Sequence, residues 1–211
     1  GVNLLITGRD EYKLSQLKLK LEKKGVLVEL LAIDLTQRDA PARVVEAGLA
    51  INGKIDILIN NAGLGDAATI MDTDEELWDA LMNINAKAPF FLCQKAIPVL
   101  KKSDAATIVN ISSVVGRKGY VNQAAYTASK HALTGFTKVL AQELQSEGIR
   151  VHLIAPGGVA TEMVTRVRPD LDIGELIQPD EIAEVIVFLL KHRGNAVIDE
   201  INIRRSNGIA F

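Results

Sequence analysis

The sequence predicts a single α/β domain over residues 1–211, built on a parallel β-sheet. Short apolar runs alternate along the chain with longer stretches in which apolar residues recur at helical spacing, and this alternation is typical of βαβ units. The composition is 48% hydrophobic and 24% charged, as in an ordinary soluble protein, and 211 residues suffice for one buried core. No internal repeat or low-complexity segment interrupts the pattern, so we expect no further domain.

The first half of the chain contains three predicted strands separated by helices. In order, they are a strand at 3–7, a helix from about 10 to 25, a strand at 26–33, a helix at 40–51 and a strand at 55–60. Leu14, Leu17 and Leu21 share one face of the first helix, and Gly25 stops that helix.

The second half continues the alternation and adds one irregular segment. In order, it comprises a helix from about 73 to 101, a strand at 106–111, a helix at 123–145, a strand at 151–155, an irregular segment at 160–178, a helix at about 180–191 and a strand near 198–203. Thr73 and Glu76 have the spacing of a capping box, which predicts a helix start. Pro89 is expected at an N-terminal turn or a kink, because proline has no N–H to donate.

Composition also excludes several functions. A formal net charge of −2 offers no electrostatic footprint for nucleic acid or an anionic membrane. No apolar run approaches the roughly 18 residues that span a bilayer. The single cysteine, Cys93, lies in a helical pattern and is predicted to be a core residue in a reducing compartment. Three scattered histidines show no metal-ligand spacing. We therefore expect a cytoplasmic protein that binds no nucleic acid, membrane or metal.

The most informative local pattern is Tyr126 followed four residues later by Lys130, with Ser113 thirteen residues upstream of the tyrosine. Residues four apart share a helix face, so the Lys130 ammonium is expected to lie near the Tyr126 phenol. A nearby positive charge favours the phenolate and lowers the phenol pKa. A hydroxyl fixed beside this pair can hold a carbonyl oxygen while the tyrosine gives or takes its proton.

Three further segments accompany this trio in a characteristic order. They are Asn60-Asn61-Ala62-Gly63 at the end of the third strand, Ile84-Asn85-Ala86-Lys87 in the following helix, and Pro156-Gly157-Gly158-Val159-Ala160-Thr161 after the fifth strand. Together with Ser113, Tyr126 and Lys130 they resemble the short-chain dehydrogenase/reductase family over almost the whole chain. The resemblance implies a doubly wound, Rossmann-like parallel sheet with a nicotinamide cofactor across the carboxyl ends of its strands.

The resemblance also implies roles for individual residues. Tyr126 is the expected general acid, Ser113 orients the substrate carbonyl, Lys130 lowers the Tyr126 pKa and holds the nicotinamide ribose, and Asn85 joins the proton relay through a water behind the lysine. The remaining residues expected to contact cofactor are those of the two turns: Asn61, Ala62, Gly63, Pro156, Gly157, Val159 and Thr161.

Cofactor preference is predicted from the end of the first strand. Relatives that prefer NAD commonly carry an acidic residue there, whereas this chain has Arg9, whose guanidinium suits a 2′-phosphate. We therefore favour NADP(H) over NAD(H); the alternative is that Arg9 only neutralises Asp10 or Glu11. Asp34 is expected beside the adenine, or else as a polar cap on its loop.

One element of the family pattern is absent. Relatives begin with a strand that runs into a glycine-rich turn, whereas Thr7-Gly8-Arg9 is followed by Asp10-Glu11-Tyr12-Lys13 without the later glycines. About 30 residues of a βαβ unit are thus expected to be missing. Because the family's first strand lies at the sheet centre, the first two strands here should not pair with the rest. We therefore expect this sequence to be part of a longer chain. The alternative is a rearranged, oligomer-forming remnant of the fold that has no catalytic activity.

The predicted function is NADP(H)-dependent reduction of a ketone or aldehyde to an alcohol, by a carbonyl-reductase-type enzyme. A 3-oxoacyl thioester is one candidate substrate. Two departures count against it, since Glu147 occupies a position where such reductases often carry a basic residue, and the C-terminal segment after Ile203 lacks their usual ending. The family resemblance also implies a homodimer or homotetramer.

Three further sites are candidates for a role in catalysis or substrate binding. His131 is expected on the surface or in an interface, because one helical step turns it away from Lys130. Arg117 and Lys118 are expected in a solvated turn, the alternative being attraction of an acidic substrate. The segment 160–178, with Met163, falls where the family has its substrate lid.

Overall fold

The computed structural model describes residues 1–208, which contain six strands and seven α-helices, with one or two helices between successive strands. The strands are β1 (Leu4–Gly8), β2 (Val28–Ala32), β3 (Ile57–Asn60), β4 (Thr107–Ile111), β5 (Arg150–Pro156) and β6 (Glu200–Ile203). The helices are α1 (Glu11–Glu22), α2 (Ala40–Asn52), α3 (Glu75–Met82), α4 (Ala88–Leu100), α5 (Ala124–Leu144), α6 (Glu162–Val167) and α7 (Pro179–Lys191). Within residues 1–208, no helix is both long and apolar enough to cross a membrane.

All strand pairs are parallel, but the strands form two sheets rather than one. β1 pairs with β2, while β3, β4, β5 and β6 pair in that order. The predicted α/β class is therefore confirmed, and so is the prediction that the first two strands do not pair with the rest. In the part of the chain described, β1 and β3 each have one edge without a strand partner.

Helix packing connects the two sheets. α2 packs on β1 and also on α4, which lies against β3 and β4. Gly48 of α2 is at the closest point of this contact, because a Cβ atom there would stand 3.0 Å from Ile55 Cδ1 and 3.9 Å from Leu5 Cδ2. A larger residue would need Ile55 to move.

The four-stranded sheet is covered on both faces, as expected of a doubly wound fold. On one face, Ile108 and Val151 pack with Cys93 and Leu100 of α4 and Leu140 of α5. On the other face, Val109 and Ile154 pack with Ile182 and Leu189 of α7. Successive strand residues point to opposite faces, so β4 and β5 each supply apolar side chains to both cores.

Three predicted boundaries differ from the structure. The cap of α3 is Asp74, whose carboxylate accepts from Leu77 N at 2.8 Å, whereas the Thr73 hydroxyl donates to Thr69 O at 2.7 Å. The long helix predicted from 73 to 101 is divided by a π-helical turn, Asn83–Lys87, after which Pro89 opens α4. The segment 160–178 was predicted to be irregular but contains α6 and a 3₁₀ turn, Ile173–Glu175.

Candidate active site

The carboxyl ends of β3, β4 and β5 carry most of the predicted site. β3 ends at Asn60, so Asn61, Ala62 and Gly63 follow directly, β4 ends two residues before Ser113, and β5 ends at Pro156. Because these strands are parallel neighbours, the three segments meet along one edge of the sheet. The structure thus brings together residues that lie nearly a hundred positions apart in the sequence.

Lys130 is the buried centre of this group. It lies in α5 with 5% of its surface exposed, and its Nζ donates to Ile111 O at 3.0 Å. Gly63 approaches it from the β3 turn, because a Cβ at Gly63 would stand 3.6 Å from Lys130 Nζ and 3.2 Å from Asn85 Oδ1. A side chain at position 63 would therefore crowd the Asn85 amide, while its distance to Lys130 Nζ would be that of an ordinary van der Waals contact.

Ser113 and Tyr126 face each other beside this lysine. Burial raises the pKa of Tyr126 above its usual value of 10.0. A hydrogen bond with the Ser113 hydroxyl acts in the opposite direction and is the smaller of the two effects. We expected a lowered Tyr126 pKa, and this expectation is wrong for the protein on its own. The phenol is half-buried, so part of its hydration is lost and the phenolate is disfavoured, while the Lys130 ammonium donates to a backbone carbonyl.

Burial also lowers the pKa of Lys130 from 10.5 to about 8. Its one hydrogen-bond partner, the Ile111 carbonyl, does not offset the loss of hydration. The lysine therefore titrates close to neutral pH, and its charge is more sensitive to surroundings than that of a surface lysine.

Asn85 is held in the π-helical turn between α3 and α4 and is 1% exposed. Its Oδ1 accepts from Leu64 N at 2.9 Å, and its Nδ2 donates to Leu64 O at 2.8 Å and Ser129 Oγ at 3.0 Å. π-turns inside helices are often found at functional sites. The observed role of Asn85 is to fix the backbone after Gly63 next to Lys130, and its predicted part in a water relay stays a prediction.

The turn that presents Ser113 packs closely against α5. Ser113 caps the 3₁₀ turn Val114–Gly116, and its Oγ accepts from Val115 N at 3.3 Å. A Cβ on Gly116 would stand 2.6 Å from both Ser112 Oγ and Thr134 Oγ1. Those two hydroxyls hydrogen bond to each other at 2.9 Å. Sequence reasoning missed Gly116, although a glycine directly after Ser-Ser-Val-Val was a usable signal.

The turn after β5 is fixed by backbone contacts to β6 and to residue Ile177. Gly157 N donates to Ile203 O at 2.7 Å, and Ala160 N donates to Ile177 O at 2.8 Å. Thr161 is the N-cap of α6, with its Oγ1 accepting from Val164 N at 3.4 Å. Val159 is partly buried beside it, whereas Thr161 is exposed.

The short helix α6 lies over the turn that follows Gly63. Arg166 Nη2 donates to Gly65 O at 2.9 Å, and Met163 Sδ would stand 2.9 Å from a Cβ at Gly65. An exposed ion pair at 3.5 Å between Glu162 and Lys13 links α6 to α1. The segment predicted as a lid therefore does contact the site.

Comparison with known proteins decides the family. The family model described as short chain dehydrogenase matches residues 1–172. The chain belongs to this family. The resemblance seen in the motifs is thereby confirmed, and the chain is an oxidoreductase by family.

Individual relatives agree with this assignment. A 3-oxoacyl-[acyl-carrier-protein] reductase of Thermotoga maritima is 36% identical over 182 residues, covering 82% of this chain and 74% of that protein. An acetoacetyl-CoA reductase of an Acinetobacter species is 36% identical over 181 residues, covering 82% and 73%. The crystal structure of a metagenomic short-chain oxidoreductase in complex with NADP matches with a TM-score of 0.84 at 33% identity, covering 98% of this chain and 86% of the other.

Within this short-chain dehydrogenase, the first two strands carry the other predicted cofactor residues. Arg9 follows β1 and is exposed, and Asp34 follows β2. Asp34 Oδ1 accepts from Thr36 N at 2.9 Å and Thr36 Oγ1 at 2.8 Å. These hydrogen bonds, with a smaller contribution from the charge of Arg9, lower the Asp34 pKa. Asp34 thus does cap its loop while remaining close to Arg9.

The other weighed residues lie outside the site. His131 is exposed, with Nδ1 2.9 Å from Thr127 O, which confirms the surface prediction. Glu147 forms an ion pair with Lys101 at 2.8 Å. Arg117 and Lys118 are exposed and lie at a turn, as expected, and the Arg117 guanidinium also pairs with Glu200 of β6. Among residues 1–208, no cluster of histidine, cysteine or acidic residues could hold a metal ion.

Proposed function

We propose that this short-chain dehydrogenase reduces a ketone or aldehyde to an alcohol with NADP(H), or catalyses the reverse reaction. The observation that carries the proposal is the convergence of Ser113, Tyr126 and buried Lys130 at the carboxyl edge of the four-stranded sheet. A hydroxyl, a phenol and an ammonium at one point are the groups that a carbonyl needs for binding and protonation.

The catalytic roles follow from chemistry at this point. The Ser113 hydroxyl donates to the substrate carbonyl oxygen and keeps it beside the phenol. Tyr126 donates its proton to that oxygen, and its raised pKa keeps the proton available at neutral pH. Lys130 places a positive charge next to the phenolate that forms, and this charge stabilises the product state of the proton transfer.

The proposed site residues suit the two ends of a nicotinamide dinucleotide. When bound, the cofactor supplies or accepts the hydride. Lys130 would hold the nicotinamide ribose, the turns at Asn61–Gly63 and Pro156–Thr161 would hold the ring, and Asp34 would flank the adenine. The exposed guanidinium of Arg9 favours a 2′-phosphate. A glycine-rich pyrophosphate cradle has no counterpart in residues 1–208.

The names of two relatives support a 3-oxoacyl thioester as substrate class. The ion pair between Glu147 and Lys101 argues against docking of an acidic carrier protein at that corner, because the carboxylate neutralises the lysine charge that such a partner would contact. A free acyl thioester or a small carbonyl compound fits both observations. We place this activity in the cytoplasm, where the single buried thiol of Cys93 remains reduced.

We further propose that the protein acts as a homodimer or homotetramer. Phe90, Phe91 and Phe136 form an edge-to-face aromatic group on α4 and α5, with ring centroids 5.3 and 5.5 Å apart. Phe90 is 46% exposed and Phe91 39% exposed. Packing of these helices against the same helices of a second copy would bury this apolar surface.

One observation favours a second candidate function, a non-catalytic member of the fold. The strands form two separate sheets, so Arg9 and Asp34 follow strands of one sheet, whereas Lys130 of α5 donates to Ile111 of the other. If the two sheets do not hold both ends of a dinucleotide, the chain retains only its capacity to assemble.

A direct NADPH titration of the 211-residue polypeptide separates the two candidates. Saturable binding, followed by carbonyl-dependent oxidation of NADPH, is the expected result. A folded protein that binds no NADPH would contradict the reductase and favour the second candidate.

The Tyr126→Phe variant then tests the proposed acid. We expect about a 10²–10⁴-fold loss of kcat, the usual contribution of general acid catalysis, with NADPH affinity unchanged. Tyr120→Phe is the matched control, because Tyr120 is exposed on the loop before α5. Full activity in Tyr126→Phe would remove this residue from the mechanism.

A further inference from the structure

Arg117 and Glu200 connect the Ser113 turn to β6 through a forked ion pair. Arg117 follows the 3₁₀ turn directly, and its Nε donates to Glu200 Oε1 while Nη2 contacts Oε2. The Glu200 side chain is 14% exposed and that of Arg117 44% exposed. A planar guanidinium that engages both oxygens of a largely buried carboxylate fixes orientation as well as distance.

Besides its packing against α5, the turn that presents Ser113 is held by hydrogen bonds within its own backbone. Its backbone closes through Gly116 N to Ser113 O at 2.9 Å and Arg117 N to Val114 O at 3.1 Å. From Lys118 to Asn122 the chain is exposed. Arg117 is therefore the last residue before this exposed loop whose side chain attaches the turn to the sheet.

β6 serves a second part of the site at its other end. Glu200 is the first residue of β6 and Ile203 the last, and Ile203 O accepts from Gly157 N at 2.7 Å. Glu200 is also in register with Leu153, in the middle of β5. One four-residue strand thus contacts both the turn that presents Ser113 and the turn after β5.

We propose that Arg117 is a positioning residue, which through Glu200 holds the Ser113 hydroxyl at the substrate carbonyl and keeps the Ser113 turn and the Gly157 turn in a fixed relation. This role rests on the proposed reductase function. Arg117 itself contacts neither substrate nor cofactor in this assignment, so its removal should affect catalysis more than binding.

The test uses four variants of the full chain. Arg117→Ala removes the pair, Arg117→Lys keeps the charge but not the fork, and the double exchange Arg117→Glu with Glu200→Arg restores an ion pair of opposite polarity. Lys118→Ala is the matched control, because Lys118 is the adjacent cation and lies over the Tyr120 ring instead of contacting β6. Two quantities are measured for each variant: kcat against KM for NADPH, and the hydrogen-exchange protection of the Gly116 and Arg117 amides.

We expect Arg117→Ala to lower kcat about 10- to 100-fold with KM for NADPH unchanged, since small displacements of a positioned group have effects of this size. Protection of the two turn amides should fall in the same variant, remain high in Lys118→Ala and recover partly in the double exchange. Arg117→Lys should be intermediate. Wild-type amide protection or wild-type kcat in Arg117→Ala would overturn the proposal. So would an equal loss of kcat and of NADPH binding in Arg117→Ala that the double exchange does not restore.

The exchange measurement keeps this proposal separate from the proposed function. A wild-type protein without any reductase activity would refute the function and, with it, the catalytic purpose of the pair. Amide protection would still show whether Arg117 restrains the turn, because that measurement needs no turnover.

Discussion

Replacing Lys130 by methionine should change how stability depends on pH. Burial lowers the Lys130 pKa from 10.5 to about 8. Between these values the unfolded chain binds the lysine proton more tightly than the folded chain does. Stability of the wild type should therefore rise as the pH rises through this window, and lysine deprotonation is the cause. The methionine variant has no such group and should lack this rise.

The magnitude follows from the two pKa values. A separation of about 2.5 pH units corresponds to about 3.4 kcal/mol, at 1.36 kcal/mol per unit. The free energy of unfolding of the wild type should rise by about 2.5 kcal/mol of this total between pH 7 and pH 10, and by almost nothing below pH 7. Loss of the hydrogen bond to Ile111 O changes the stability of the variant by a constant amount, so the slope with pH isolates the charge.

Urea unfolding at pH 6, 7, 8, 9 and 10 measures the difference between wild type and Lys130→Met. Staying at or below pH 10 limits ionisation of Tyr126, which both proteins retain. Lys138→Met is the control, because Lys138 is an exposed lysine on the same helix, and this variant should track the wild type. If the free energy of unfolding depended on pH in the same way in wild type and Lys130→Met, the idea that burial disfavours the charged form of Lys130 would be refuted.

Two further predictions concern the turn and the cofactor. Gly116→Ala should lower the free energy of unfolding by about 1–3 kcal/mol, because the new methyl group overpacks the contact with the Ser112 hydroxyl. Gly119→Ala, with open space around its Cβ, should be neutral, and equal losses in thermal unfolding would contradict the packing argument. Arg9→Ala should weaken NADPH binding by about 1.5–3 kcal/mol in a fluorescence titration, the range for hydrogen bonds to charged groups, while NADH binding is spared. Equal losses for the two cofactors would argue against a contact with the 2′-phosphate.

The fold was predictable because its sequence signals are local. Each strand in the structure coincides with an apolar run, and Asp10, by accepting from Lys13 N at 2.9 Å, caps the first helix near its predicted start. The break at Asn83–Lys87 was not predictable, since the helical periodicity continues through it and only the contacts of Asn85 with Leu64 and Ser129 account for the π-turn.

The site was predictable only where its residues share an element or a motif. Tyr126 and Lys130 lie one turn apart on α5, so their proximity follows from helix geometry. The pairing of Arg117 with Glu200 joins residues 83 positions apart, and no local pattern marks it. The direction of the Tyr126 pKa was wrong for the same reason, because burial depends on the assembled fold and not on the spacing of the motif.

The division of the sheet determines how the two groups of site residues are spaced. Arg9 and Asp34 follow the strands of one hydrogen-bonded ladder, and Lys130 donates to Ile111 of the other, so backbone pairing does not set the separation between them. Helix α2 packs near both groups, because Gly48 lies close to Leu5 of β1 and to Ile55 before β3. Side-chain volume at this helix contact therefore bears on how far apart the two groups of site residues lie.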